Sequence, residues 1–105
     1  MYETREQAFE GIQIETKAVK RYSEATRKAA QNGQYGHAWE MADIAKMALE
    51  CARNAHNELW EFCQGQPTVE EMERLAEAEV AEFTFRQAIS CNKGNSPFFD
   101  GMEVR

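Results

Sequence analysis

The amino-acid sequence predicts an all-α protein in which an antiparallel helical hairpin and a third helix form a three-helix bundle with a docked C-terminal tail. Apolar residues recur at helical spacing along most of the 105 residues. Two Thr-x-x-Gln/Glu motifs are typical of helix starts, and both prolines lie at predicted breaks. Together these observations predict one helical domain over 1–105, with helices near 4–32, 35–64 and 68–92 and a tail over 93–105.

The first predicted helix begins at a capping box formed by Thr4 and Gln7. It ends at Asn32 and Gly33, because both residues tolerate the left-handed conformation that follows many helices. The short connection after Gly33 predicts that the first two helices are antiparallel. Gly11 is expected at a close crossing or in a weak first turn. The predicted inward side chains are Phe9, Ile12, Val19, Tyr22, Thr26, Ala29 and Ala30.

The second predicted helix determines how the other elements pack. Its apolar residues form rows with a seven-residue repeat, so they share one broad face. Most are alanines, whose small side chains allow a neighbouring helix to approach to about 8 Å. We expect most of this face to pack within the hairpin, and the alternative is that part of it contacts a second copy of the chain. The rows are Ala38, Ala45, Ala52 and Leu59; Ala42, Leu49, His56 and Cys63; and Ala48, Ala55 and Phe62.

The third predicted helix begins at a second capping box, Thr68 with Glu71, directly after a break that contains Gly65 and Pro67. One apolar row is expected to face the other two helices. Phe85 falls outside that row, so it either packs on a neighbouring helix or is exposed. The predicted inward row is Met72, Leu75, Ala76, Val80, Phe83 and Ile89.

The C-terminal tail, residues 93–105, is unusually apolar for a terminus. Two adjacent exposed phenylalanines, Phe98 and Phe99, would promote aggregation. We therefore expect the tail to dock on the bundle and cover its open end. The alternative is a short linear motif that binds another protein.

The composition favours a cytoplasmic protein that binds neither nucleic acid nor membrane directly. The net charge is −6 at pH 7, whereas nucleic acid and anionic membranes attract basic surfaces. The N-terminal residues are polar and charged, unlike a signal peptide, and no apolar run approaches the length of a membrane span. The odd number of cysteines and the lack of a Cys-x-x-Cys motif predict free thiols at Cys51, Cys63 and Cys91.

The sequence contains no motif that supports catalysis or a cofactor. A di-metal helical bundle requires Glu-x-x-His, whereas His37 and Glu40 occur in the reversed order. His56 and Cys63 are separated by roughly 10 Å along a helix, so they could share a metal only with a further ligand such as Cys91. We therefore predict no enzyme, no cofactor and no metal site, and we interpret His56 as a core residue.

These observations favour a non-enzymatic helical protein–protein interaction module, with a homodimer as the expected assembly. Aromatic and apolar residues outside the main rows, at a rim of charge, are the usual composition of a binding hot spot. Glutamates crowd the start of the third helix and could direct partner choice. The predicted partner-binding residues are Ile14, Trp39, Met47, Trp60, Glu70, Glu73, Glu77 and Phe85.

Two other functions remain open on the sequence. A short, acidic, single-domain chain without motifs is typical of a phage or mobile-element inhibitor, anti-CRISPR-like in action, that blocks a host nucleic-acid enzyme through an acidic helical surface. The second alternative is a helical bundle that binds a metal or a small molecule through His56, Cys63 and Cys91.

Overall fold

The structure, a computed structural model, describes residues 2–92, with side chains described to residue 90. It contains three helices that form a rod-shaped bundle of 44 × 22 × 22 Å, which confirms the predicted fold class. The predicted tail lies outside the described residues. Within the described part of the chain, no helix combines the length and the apolar character needed to cross a membrane. The helices are α1 (Arg5–Gln31), α2 (Tyr35–Cys63) and α3 (Val69–Asn92).

The α1–α2 hairpin is the most extensive pairing of helices, and α3 packs more extensively on α1 than on α2. α2 runs without interruption, and its alanine face is buried inside the chain. Because methyl side chains let helix axes approach closely, this face explains the tight pairing. The hairpin packing predicted for most of the face is therefore observed. Its buried alanines are Ala38, Ala42, Ala45, Ala48, Ala52 and Ala55.

The helix ends follow the predicted capping residues, with one change of partner. The backbone N–H of Gln7 donates to Thr4 Oγ1 at 3.2 Å, and the Gln7 side chain accepts from the N–H of Glu3 at 2.9 Å. The box at α3 is reciprocal, because Glu71 and Thr68 each accept a hydrogen bond from the other's N–H, at 2.8 and 3.2 Å. These bonds satisfy N–H groups that the first helical turn leaves free.

Residues with positive φ angles follow the C-terminal ends of α1 and α2. Gly33 has φ of 74° and Gly65 has φ of 76°, as expected for residues that follow helices. Gln64 also has a positive φ, 54°, which the sequence did not indicate. Two successive left-handed residues therefore turn the chain from α2 into α3.

The inward face predicted for α3 is wrong in most of its members. Met72, Val80 and Phe83 are exposed, whereas Phe85 is 2% exposed and lies in the core. The helix has two apolar faces on opposite sides, and the face with more alanines is the one that packs. The three alanines allow α3 to lie close to the hairpin, and the larger buried side chains fill the space between the helices. The buried members are Leu75, Ala78, Ala81, Phe85, Ala88 and Ile89.

Candidate functional site

The most prominent surface feature is an apolar row on the outer side of α3, which we call the α3 stripe. Its steps of three and four residues place it on one helix face, opposite the buried face. The row extends over about 21 Å at 1.5 Å per residue. Its four larger side chains are between 53% and 73% exposed. The members are Val69, Met72, Ala76, Val80 and Phe83.

Carboxylates border the α3 stripe. At 100° per residue, Glu73 and Glu77 lie along one edge and Glu79 lies along the other. Glu73 and Glu79 are exposed, and half-buried Glu77 accepts a hydrogen bond from Arg74 at 2.8 Å. Across all of α3 there are six glutamates and two arginines. The stripe is therefore apolar along its centre and acidic at its margins.

A groove of about 720 Å³ joins the α3 stripe on the side of α2, and we call it the Trp60 groove. Trp60, which is 48% exposed, lines it from α2, while Met72 and Ala76 line it from the α3 stripe. It forms because α2 and α3 make the least extensive helix pairing in the bundle. The remaining lining residues are His56, Asn57, Gly65, Gln66, Pro67, Leu75 and Glu79.

A buried carboxylate anchors the start of α3. Glu71 forms a bidentate ion pair with Arg5 of α1 and also accepts a hydrogen bond from the backbone N–H of Thr68. The Arg5 guanidinium, and then the hydrogen bonds from Thr68, lower the pKa of Glu71 to about 2 against the opposing effect of burial. The ionised Glu71 therefore links the first turn of α3 to the first turn of α1.

Two further contacts hold α3 along its length. Arg53 of α2 donates to Glu82 at 2.6 Å, and Arg86 donates to the same carboxylate at 2.8 Å. The guanidinium of Arg74 lies 5.2 Å from the centre of the Phe9 ring on α1, a distance at which cations attract aromatic faces. α3 is thus joined to both helices of the hairpin by polar contacts at its edges.

The N-terminal segment packs on the hairpin at the same end of the bundle where α3 begins. The N–H of Tyr2 donates to Glu58 at 2.8 Å, and the Tyr2 ring lies over Gly11. A Cβ atom at position 11 would overlap the hydroxyl end of the Tyr2 side chain. Gly11 therefore accommodates the Tyr2 ring of the N-terminal segment, whereas the sequence predicted a close helix crossing or a weak first turn. Burial, followed by the charges of Glu15 and Glu58, raises the pKa of Tyr2.

The predicted partner-binding residues are divided among several places. Ile14 and Met47 are 63% and 61% exposed, and they belong to neither the α3 stripe nor the Trp60 groove. Trp39 is half-buried against the core. Phe85 is unavailable to a partner, because its face of α3 is the one that packs on the hairpin. Trp60 lies in the groove, Glu70 and Glu73 are exposed, and Glu77 is half-buried.

The three residues proposed for a metal site do not converge. Cys63 lies beside Glu71, at the start of α3, and Cys91 follows Glu71 by more than five turns of the same helix, or about 30 Å. His56 is half-buried on α2. Burial, reinforced by the hydrogen bond and charge of Glu71, raises the pKa of the Cys63 thiol. Within the described residues, no three His, Cys, Asp or Glu side chains are placed to hold a metal ion.

The α3 stripe and the Trp60 groove thus form one continuous surface, with an apolar centre, an aromatic wall and acidic margins. Such a surface can bind an apolar partner element and attract positive charge.

Comparisons of the chain with protein-family models, with curated proteins and with solved structures find no match.

Proposed function

We propose that this chain is a non-enzymatic protein–protein interaction module that binds another protein through the α3 stripe. The observation that carries the proposal is the outward position of Phe83, Met72 and two valines on a helix whose opposite face already lies in the core. Contiguous exposed apolar surface on a soluble helix usually marks a contact with another molecule. The stripe itself contains neither a nucleophile nor a base, so it offers contact area rather than chemistry.

The acidic margins favour a different protein over a second copy of the chain at this surface. Two α3 stripes placed face to face would bring Glu73 and Glu79 of each copy close to the carboxylates of the other. Like charges at a contact oppose association and are a common means of rejecting wrong partners. The homodimer predicted from the sequence would therefore use another surface, such as one that contains exposed Ile14 or exposed Met47.

The test is to place charges within the α3 stripe and to identify the proteins that co-purify from the source cells. Changing Val80→Asp together with Phe83→Asp should abolish the specific association, because a partner would have to desolvate two new carboxylates. Circular dichroism should show an unchanged helical fold, since both side chains are exposed.

The matched control carries Ile14→Asp and Met47→Asp, which alter two equally exposed apolar residues elsewhere. Quantitative mass spectrometry should find the same associated proteins as with the unaltered chain. If the stripe variant kept its associated proteins and the control lost them, the interaction would belong to the hairpin and the proposal would be wrong.

A second candidate function is inhibition of a nucleic-acid enzyme by an acidic helix that occupies its basic site. The observation that favours it is the exposure of Glu70 and Glu73 near the start of α3. Reversing the charge of Glu70, Glu73 and Glu77 should then weaken binding more than the Val80 and Phe83 changes do. Binding that survives the charge reversal intact would remove this candidate.

A further inference from the structure

We infer that the element bound by this protein is a cationic amphipathic helix that lies in the cleft between α2 and α3 and completes a four-helix arrangement. The inference rests on the proposed function, because the cleft and the α3 stripe share Met72 and Ala76. It adds the secondary structure, the length and the charge of the partner element.

The cleft is elongated rather than round. The Trp60 groove continues into a second depression of about 280 Å³, and the two share His56, Asn57 and Glu79. From Trp60 to Leu49, α2 contributes about 16 Å of wall. α3 contributes a similar length between Met72 and Glu82. A channel with these dimensions matches about three turns of helix.

This cleft is open because α3 packs more extensively on α1 than on α2. Packing a helix between two others buries one apolar row on each neighbour, as in four-helix bundles. Leu75 and Ala78 lie at the base of the cleft, and Trp60 and Met72 stand at its rim. An apolar side chain of the partner helix would fit between Trp60 and Met72, where aromatic and thioether groups make favourable contacts.

The charges at the cleft determine which amphipathic helices can bind there. Glu79 is exposed at the cleft, while Glu82 is already engaged by Arg53 and Arg86. A lysine or arginine of the partner would therefore pair with Glu79, which lies on the edge of the α3 stripe that borders the cleft. A helix with acidic flanks would meet like charge at this position.

The test uses two designed helical peptides of 18 residues as probes. Both carry leucines at the same helical spacing; one has lysine flanks and the other has glutamate flanks. Fluorescence anisotropy of the labelled peptides against the full chain should show that the lysine peptide binds at least about 10-fold more tightly at low salt, and that added salt reduces the difference.

Variants of the protein test whether the lysine peptide binds in the cleft. Glu79→Lys and Trp60→Ala should each weaken the lysine peptide several-fold, whereas Glu10→Lys, an equal charge change on exposed α1, should leave its affinity within about two-fold. Both altered residues are exposed, and circular dichroism can verify that the helices persist.

Three outcomes would overturn the inference: equal binding of the two peptides, binding of neither, or equal weakening by Glu79→Lys and Glu10→Lys. Concentration-dependent mass in sedimentation, abolished by Trp60→Ala, would show that a second copy occupies the cleft instead. The proposed function is judged separately, because it fails only if the Val80 and Phe83 changes leave the co-purifying proteins unaltered.

Discussion

The two faces of α3 contrast in an instructive way. The inner face combines three alanines with Leu75, Phe85 and Ile89, whereas the outer face carries two valines, a methionine, an alanine and a phenylalanine. Both faces are apolar, so hydrophobicity alone does not decide which one is buried. Close approach to α1 explains the arrangement, because burial depends on how well a row fits a neighbouring helix as well as on how apolar it is.

The largest expected difference in stability between the two faces comes from truncating one phenylalanine on each. Phe85→Ala should lower the free energy of unfolding by about 3–5 kcal/mol, because it leaves a cavity in the core. Phe83→Ala should change it by less than about 0.5 kcal/mol, as expected of an exposed residue. Urea denaturation of both variants checks the pair, and similar losses would contradict the assignment of faces.

A second comparison is between Glu71, which links the start of α3 to α1, and exposed Glu73. Glu71→Gln should lower the free energy of unfolding by about 1.5–3 kcal/mol, because it weakens charge-assisted hydrogen bonds from Arg5 and Thr68. The same change at exposed Glu73 should have little effect. Thermal unfolding at neutral pH measures the difference, which would vanish if Glu71 did not hold α3.

The same carboxylate predicts a pH dependence. Since the pKa of Glu71 falls from 4.5 to about 2 on folding, its ionised form stabilises the fold above pH 4.5. That contribution should disappear as the pH falls from 4.5 toward 2. Denaturation at several pH values should show a steeper loss of stability in the unaltered protein than in Glu71→Gln, where this group no longer titrates. Parallel pH profiles would contradict the prediction.

The smallest expected effect concerns two alanines of α3. Ala81→Leu should destabilise the protein by about 1–3 kcal/mol, because added methylene groups have no space between α3 and the hairpin. Ala76→Leu adds the same atoms to the exposed face and should change the free energy of unfolding by less than about 0.5 kcal/mol. Equal melting temperatures for the two variants would indicate a loosely packed inner face.

Much of the candidate surface was present among the sequence predictions, although its members were assigned different roles. Trp60, Glu73 and Glu77 were predicted to bind a partner, and they lie in or beside the surface found here. Met72 and Phe83 were predicted to be buried and instead form the α3 stripe. A competing alanine row at helical spacing, which includes Ala81 and Ala88, was the signal that could have revealed the second face.

Local signals in the sequence were enough to place the helix boundaries, each of which lies within one residue of its predicted position. Those boundaries depend on local chemistry: the hydroxyl of Thr4, the reciprocal bonds between Thr68 and Glu71, and the conformational freedom of Gly33 and Gly65. The choice of which face of α3 is covered depends on the folded bundle, because it follows from the shape that α1 and α2 present together and from the ion pair between Arg5 and Glu71. A single helix with two apolar faces contains no local signal that distinguishes the one in the core from the one left for a partner.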